Sequence, residues 1–425
     1  MKILFVVPNV PSFIRPRPFN FIRGLSRMHE LSVVCLASND ADERSVSGLR
    51  PYCRHLKVIR HSRWRALWNC LKALVSASSL RCAYFYSPRL REHVSASIEA
   101  GEADLIHVEH LKSLPMVEPV LGKVPAVFDA VDCLSLLESR RRLVTANPLL
   151  KLFAFIESKK FALSERRASR QFTRVAISSP LDREAYPVPA GFRDRIDVVP
   201  NAVDLDHFRF RQFEAQRNLL VFCAKLDYFP NTDAALYFAR SVWPVVRARR
   251  PELRLEIVGS RPPKSVRQLD GEANIRVIAS VPDVKPYLGR AWVALCPIRI
   301  RAGTQFKILE AMALGVPMVA TSICCPGLEV VAEKHLLVAD DAEQFASAIE
   351  LLLDNEALRE KLIRTARDCV EREHGWGESL MALSNSYRKA MADFASGGRV
   401  MDSGLDHPAV SSAAASAAAR STGSS

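Results

Sequence analysis

Short apolar runs and stretches of helical period alternate along almost the whole chain. In the first half, runs near Ile3–Val7, Leu31–Leu36, Asp104–Val108, Ala126–Asp129, Arg174–Ile177 and Ile196–Val199 read as buried strands. Helical stretches lie between them, including Pro18–Met28 and the long Leu149–Ser169. The second half repeats the arrangement, with strands near Leu219–Cys223, Arg254–Val258, Ile275–Ile278, Trp292–Leu295, Met318–Ala320 and Leu336–Val338. Helices are predicted near Asp233–Arg250, Gln305–Leu314, Ala342–Leu353 and Glu356–Val370. Apolar strands separated by helices predict βαβ units, because parallel strands need a crossover and are covered on both faces. Two such runs predict an α/β chain of two Rossmann-like, doubly wound parallel-sheet domains facing a cleft. A length of 425 residues also exceeds what one hydrophobic core usually serves. The seam falls in the turn-rich Pro200-Asn201-Ala202-Val203-Asp204, which divides residues 1–204 from residues 205–373. From Ala395 to Ser425 the sequence is rich in Ser, Ala and Gly and is expected to be disordered.

One stretch carries candidate chemistry. Arg299-Ile300-Arg301-Ala302-Gly303-Thr304-Gln305 follows an apolar strand and opens a helix that holds Lys307 and Glu310, and Gly315-Val316-Pro317 stops that helix before the next strand. Strand, basic glycine loop, helix is the layout of an anion site, because free amides and the helix dipole both favour phosphate. Two guanidinium groups and an ammonium beside it predict a ligand with more than one negative charge. Thr304 is placed to cap the helix. The alternative for Lys307 and Glu310 is a helical ion pair worth ~0.2–0.5 kcal/mol.

Charge is unevenly spread. The net formal charge is +13, and residues 1–200 hold 31 Lys and Arg against 19 Asp and Glu. Between Glu43 and Glu92 there is no acid, while eleven Lys and Arg lie there. Within that interval Trp64, Leu67, Trp68, Leu71, Leu74 and Val75 recur at helical spacing. A basic amphipathic helix of this kind reads either as a membrane-surface segment on an anionic bilayer or as a stripe packed on its own domain. Nucleic acid is disfavoured as a partner, since the basic stretch contains no recognisable recognition module. The composition, 48% hydrophobic and 25% charged, is that of a globular chain, and no apolar run approaches the ~20 residues of a membrane span. Lys2 leads straight into a short strand rather than a signal peptide. Ten scattered cysteines without a CxxC pair point to reduced thiols in a cytoplasmic protein and away from a zinc site.

These motifs, taken in order, resemble a nucleotide-sugar glycosyltransferase of the GT-B fold, in the large retaining family called family 4. The resemblance runs from Met1 to about Phe394. It rests on Val199–Asp204 with Phe208, on Cys223-Ala224-Lys225-Leu226-Asp227 with Pro230-Asn231, on Leu255–Gly259, on the Arg299–Ala313 stretch and on Trp376. Phe128–Cys133 and Val108-Glu109-His110 resemble a bacterial subgroup that builds exopolysaccharide. The resemblance implies a donor site of Lys225, Asn231, Gly259, Val281, Arg301, Gly303, Thr304, Lys307 and Glu310. Glu310 would accept the ribose hydroxyls, and the loop Ala279–Asp283 would read the base through its backbone. It also implies a helix over residues 374–394 that packs back on the first domain. The partners implied are a nucleotide-diphosphate sugar and a glycan or polyprenyl-linked acceptor, with no metal and no cofactor. Three departures stand out: the first of the family's two glutamates falls on Ala302, Pro8-Asn9-Val10-Pro11 replaces a Gly-Gly loop, and of the usual Arg and Lys at the diphosphate, Lys225 stands at the Arg position and Asn231 near the Lys.

The first domain is expected to hold the acceptor and the catalytic side chains. Glu109 and His110 lie just past a strand's C-terminal end, where α/β sheets place ligands, with His107 as a third candidate. Asp129 and Asp132, past the next strand, and Arg15 and Arg17, past the first, are candidates for the acceptor or a phosphate. Asp204-Leu205-Asp206 matches a metal-binding string of another transferase fold but sits at the seam, where aspartate caps and turns are common. Other activities of the same fold, a sugar-nucleotide epimerase or a phosphorylase, and a non-enzymatic membrane- or RNA-binding role remain as alternative readings.

Overall fold

The computed structural model describes residues 1–397 apart from 13, 14, 77, 190, 282 and 302, without the side chain of residue 41. The tail over 398–425 and the Ala302 position therefore lie outside the described residues. The first sheet contains β1 (Lys2–Val7), β2 (Glu30–Ala37), β3 (His55–Arg60), β4 (Leu105–Glu109), β5 (Ala126–Val131), β6 (Arg174–Ile177) and β7 (Ile196–Val198). The second contains β8 (Gln216–Cys223), β9 (Arg254–Gly259), β10 (Ile275–Ala279), β11 (Ala291–Cys296), β12 (Met318–Ala320) and β13 (Leu337–Val338). Their orders are β3-β2-β1-β4-β5-β6-β7 and β10-β9-β8-β11-β12-β13, and the strand pairs are parallel. Each sheet reverses its direction of growth once, at β1/β4 and at β8/β11. A crevice opens at such a point beyond the carboxyl ends of the strands.

Two elements differ from the sequence pattern. Strand β3, His55-Leu56-Lys57-Val58-Ile59-Arg60, was not predicted: it is a basic edge strand whose only buried residue is Ile59. Charge on an edge strand blocks further pairing, and it also hides the strand from a search for apolar runs. The single helix predicted over Asp233–Arg250 is Phe229–Tyr237, a π-helical turn Phe238–Val242 and Trp243–Arg249. Pro244 is the cause, since it offers no N–H and its ring crowds the preceding turn.

The chain crosses between the sheets twice, side by side. Val203 N–H donates to His374 O at 2.9 Å, and Val203 bridges Gly375. The helix Trp376–Ala395 then buries Leu383, Tyr387 and Ala390 with Phe5 and Val33 against the first sheet. Asp197 at β7 accepts from Ser386 Oγ at 2.8 Å and from Lys389 Nζ at 2.7 Å. This helix therefore belongs physically to the first sheet, although nearly 180 residues separate Val198 from Trp376 in sequence. One helix does the opposite of what amphipathic packing predicts. In Arg63–Leu74 the alanines Ala66 and Ala73 are buried, while Trp64, Leu67, Trp68, Leu71 and Leu74 face outward. The stripe does not pack on its own domain.

Candidate functional site

A cleft of about 580 Å3 lies where the carboxyl ends of the strands from both sheets meet. Val131 and Asp132 after β5, Lys225 after β8, Gly259 at the end of β9, Val281 after β10 and Thr304 after β11 all line it. The helix Phe306–Leu314 points its N-terminus at this space, and no side chain caps it. Gly315, at φ 75°, ends the helix in the left-handed conformation. On the first turn Lys307 extends Nζ to Gln305 Oε1 at 2.7 Å, and Glu310 follows one turn later on the same wall. Across the cleft, Asn231 donates Nδ2 to Lys225 O at 2.9 Å and so fixes the loop that carries the Lys225 ammonium. A Cβ on Gly259 would stand 1.7 Å from Ala224 O, so a glycine is needed for β9 to end against that loop. The structure thus brings Lys225, Asn231, Gly259, Val281, Thr304, Lys307 and Glu310 to one surface.

Several residues sit differently from the expectation. Arg301 was expected to reach the ligand, but it is buried, and its guanidinium donates to the carbonyls of Gly303, Ile323 and Pro326. It shapes the loop from within. Arg299 faces Asp233 in a two-point pair at 2.7 and 3.0 Å. The cations at the cleft are therefore Lys225 and Lys307, not the two arginines. Thr304 does not cap the helix: Gln305 holds that position, and Thr304 Oγ1 accepts from Asn201 Nδ2 at 2.7 Å. The Gly303 N–H donates to Asp182 Oδ2 at 2.9 Å, and Arg140 donates to Arg301 O. The loop is held against the first domain by these three contacts.

Glu310 is half-buried, and burial pushes its carboxyl up to about 7, with Lys307 opposing and Asp283 adding to the rise. An ionised carboxylate accepts two hydroxyl hydrogens more strongly than the protonated acid, which turns one of its oxygens into a donor. If Glu310 holds ribose hydroxyls, nucleotide affinity should therefore rise as pH climbs through about 7. Glu310→Gln should remove that dependence; a wild-type affinity flat from pH 5.5 to 8.5 would contradict the role.

On the first domain, Arg17 and Asp129 were both expected at the acceptor. Instead they form a buried two-point pair at 2.8 and 2.9 Å, with Arg17 Nη1 also donating to Val199 O and Asn201 Oδ1. Arg15 Nη1 reaches Val10 O and Asp42 Oδ1, both at 2.9 Å. His107 is wholly buried, with Nδ1 at 2.8 Å from Tyr387 Oη, which removes it from the catalytic candidates. Glu109 and His110 are half-buried at the end of β4 and are not part of the cleft wall itself. Burial, with the Asp129 charge beside it, raises the Glu109 carboxyl to about 8. His110 Nδ1 accepts from Lys112 N–H at 3.3 Å, and burial holds its pKa well below the usual value, so the ring is neutral with its proton on Nε2. Asp132 lines the cleft, accepts from Ser178 Oγ at 3.3 Å, and is raised to about 7 by burial and the Asp182 charge. Asp204 is spent on Arg23 at 2.7 Å and on the amides of Asp206 and His207.

Three contributors escaped the sequence reading. Asp182 looks like part of an ordinary Ser179-x-x-Asp182 cap, and it is one, with Asp182 N–H donating to Ser179 Oγ at 3.1 Å. Its position just past β6 was the available clue. Asn201 was read as part of the turn-rich seam and of the motif there, not as a contact to the Gly303–Gln305 loop. Val131, a β-branched residue at φ 65° beside a register shift in β5, shows only in the backbone. Strain of this kind, with His110 at φ 63° on the neighbouring strand, gathers at functional edges.

Comparison with known proteins agrees with this geometry. The model of the family "Glycosyl transferases group 1" matches residues 217–355, which carry the cleft-lining residues from Cys223 to Glu310. The D-inositol 3-phosphate glycosyltransferase of Mycobacterium marinum is 28% identical over 230 residues, covering 48% of this chain and 47% of that protein. The chain thus spans about half the length of the curated relatives it matches. Among solved structures, Anabaena Alr3699/HepE in complex with UDP-glucose superposes with a TM-score of 0.66 at 12% identity, covering 91% of this chain and 99% of that one. Sucrose-phosphate synthase from Thermosynechococcus elongatus gives 0.65 at 17% identity, with 92% and 99% covered. Two parallel-sheet domains, a cleft at their carboxyl edges and the solved structures lead to one statement: the chain has the GT-B fold, and within it residues 217–355 match the model of the glycosyl transferases group 1.

Proposed function

We propose that this chain is a retaining, metal-independent glycosyltransferase that takes a sugar from a nucleoside diphosphate, with UDP the favoured nucleotide. The observation that carries the reading is the wall formed by the uncapped N-terminus of Phe306–Leu314 with Lys307 and Glu310, facing Lys225 across the cleft. That wall supplies amides and two ammonium groups where a diphosphate would gain charge, and a carboxylate at ribose distance along the helix. UDP is favoured because solved structures of the same fold carry UDP or UDP-glucose. In the reaction, the acceptor hydroxyl oxygen bonds to the anomeric carbon as the bond to the diphosphate oxygen breaks. The electron pair leaves with the diphosphate, and the hydroxyl proton passes to a base. Lys225, Lys307 and the helix amides stabilise the departing charge; Glu310 holds the ribose; the backbone around Val281 meets the base.

On the other side, Asp132 is the carboxyl best placed for an acceptor hydroxyl, and the reading assigns Glu109 and neutral His110, at the end of β4 and outside the cleft wall itself, to the sugar. His110 Nε2–H is available to donate to a sugar oxygen. The indole N–H of Trp376, also on the cleft wall, has no protein acceptor among the described residues and suits a ligand oxygen. The reading extends to a glycan or lipid-linked acceptor in envelope or exopolysaccharide synthesis, on the resemblance of Phe128–Cys133. Lys307→Ala and Glu310→Ala should each cost about tenfold to a hundredfold in transfer without loss of fold, from the charged hydrogen bonds removed. Full activity in both would refute the site. Incubation with a UDP-sugar alone separates the epimerase alternative, which would change the sugar rather than slowly release UDP.

A further inference from the structure

Three neighbouring helices of the first domain share an unusual surface. On Arg63–Leu74 the large apolar residues point outward, with Trp64 79% and Trp68 65% exposed, while small alanines face the protein. On Pro148–Gln171, Leu149, Leu152, Ile156 and Leu163 recur along one exposed face. The two helices adjoin, since Lys160 Nζ donates to Ala73 O at 2.9 Å. On Leu134–Val144, Leu143 is exposed as well.

Charge on these helices is sorted by side. Arg63–Leu74 contains no acid. The acids of the other two, Glu138, Glu157 and Glu165, are all buried. Glu138 holds Arg81 at 2.5 Å, Glu157 accepts from Leu80 N–H at 3.2 Å, and Glu165 accepts from Leu134 N–H at 2.7 Å. Cations stay outside: Arg63, Arg65, Lys72, Arg142, Lys151 and Lys159 are exposed. Arg142 and Lys159 flank Phe155, itself exposed, at 5.4 and 5.7 Å from its ring centre. The face is therefore apolar along its stripes, positive around them and free of exposed acid.

We propose that this face is a docking surface for an anionic lipid bilayer, into which Trp64, Trp68 and the leucine stripes insert at the headgroup boundary. Tryptophan with a ring of Lys and Arg suits that boundary, where apolar faces enter and cations meet lipid phosphate. A second copy of this chain fits less well, because a two-fold contact would press the same basic rim against itself. The face lies close to the cleft. Arg140 contacts the Arg301 carbonyl, and Leu143 follows it by one turn of the same helix. A docked chain therefore holds the acceptor side of its cleft near the lipid surface. The proposal stands apart from the assignment of the reaction.

The test is vesicle flotation of the full chain on phosphatidylcholine, with and without phosphatidylglycerol, paired with sedimentation velocity in the absence of lipid. Flotation should require the anionic lipid, and tryptophan emission should shift to the blue on binding. Trp64→Ser/Trp68→Ser and Arg63→Ser/Arg65→Ser should each weaken binding at least about tenfold. Both pairs should keep the thermal midpoint, because the replaced side chains are exposed. No flotation of the wild type on anionic vesicles, or flotation of either pair equal to that of the wild type, overturns the proposal. So does self-association that the tryptophan pair abolishes, which would assign the face to a second copy.

Discussion

Gly303→Ala should lower turnover by more than about a hundredfold while shifting overall stability by only ~1 kcal/mol. Gly303 sits at φ 69°, and a Cβ there would stand 1.7 Å from Asp132 Oδ1 on the other domain. Alanine pays a modest backbone cost for the left-handed conformation. The larger consequence is geometric. Either Asp132 must leave Ser178 Oγ, or the loop must lift from the first domain and release the Gly303–Asp182 and Thr304–Asn201 contacts. Both routes disturb the distance between the donor wall and the acceptor side, and a misplacement near 1 Å costs catalysis steeply. The nucleotide contacts proposed above reside on one domain, so UDP affinity should fall far less than turnover. Steady-state kinetics with UDP titration distinguish these effects; equal losses in both, or none, would contradict the account.

Asp129→Ala should destabilise the chain by about 3–5 kcal/mol, the cost of leaving a buried charge without its partner. Arg17 is 2% exposed, and Asp129 is fully buried. Without the carboxylate, the guanidinium keeps only the Val199 carbonyl and Asn201 Oδ1 as close acceptors at 2.9 and 2.8 Å. Asp129 Oδ1 also accepts from Val131 N–H at 3.3 Å, so the strained end of β5 loses a support. Replacing both partners with apolar residues of similar size, Arg17→Met/Asp129→Leu, should recover much of the loss, because no bare charge remains. Urea unfolding of the two variants beside the wild type measures this. A single variant within 1 kcal/mol of wild type would show that the pair is not the buried strut described.

The cleft wall around Lys307 and Glu310 was legible because its parts are local. A strand, a glycine loop and the first turn of a helix occupy one short stretch, and Lys307 and Glu310 follow from helical spacing. The sheets were legible for the same reason: each buried strand is a continuous apolar run, and the strand positions differ by only a few residues from those read in the sequence. What remained hidden is non-local. Whether Arg17 and Asp129 face a ligand or each other depends on residues more than a hundred positions apart. Arg301 reads as a phosphate ligand until the carbonyls of Ile323 and Pro326 are seen to enclose it. The outward stripe on Arg63–Leu74 has the same pattern as an inward one, and only the fold tells which face is covered.

The most direct test of the central claim is calorimetric titration of UDP into the wild-type chain and into Lys307→Ala. The account predicts saturable one-site binding that weakens about tenfold to a hundredfold in the variant, with the thermal midpoint of the free protein unchanged. No UDP binding by wild type, or equal affinity in both, would contradict it.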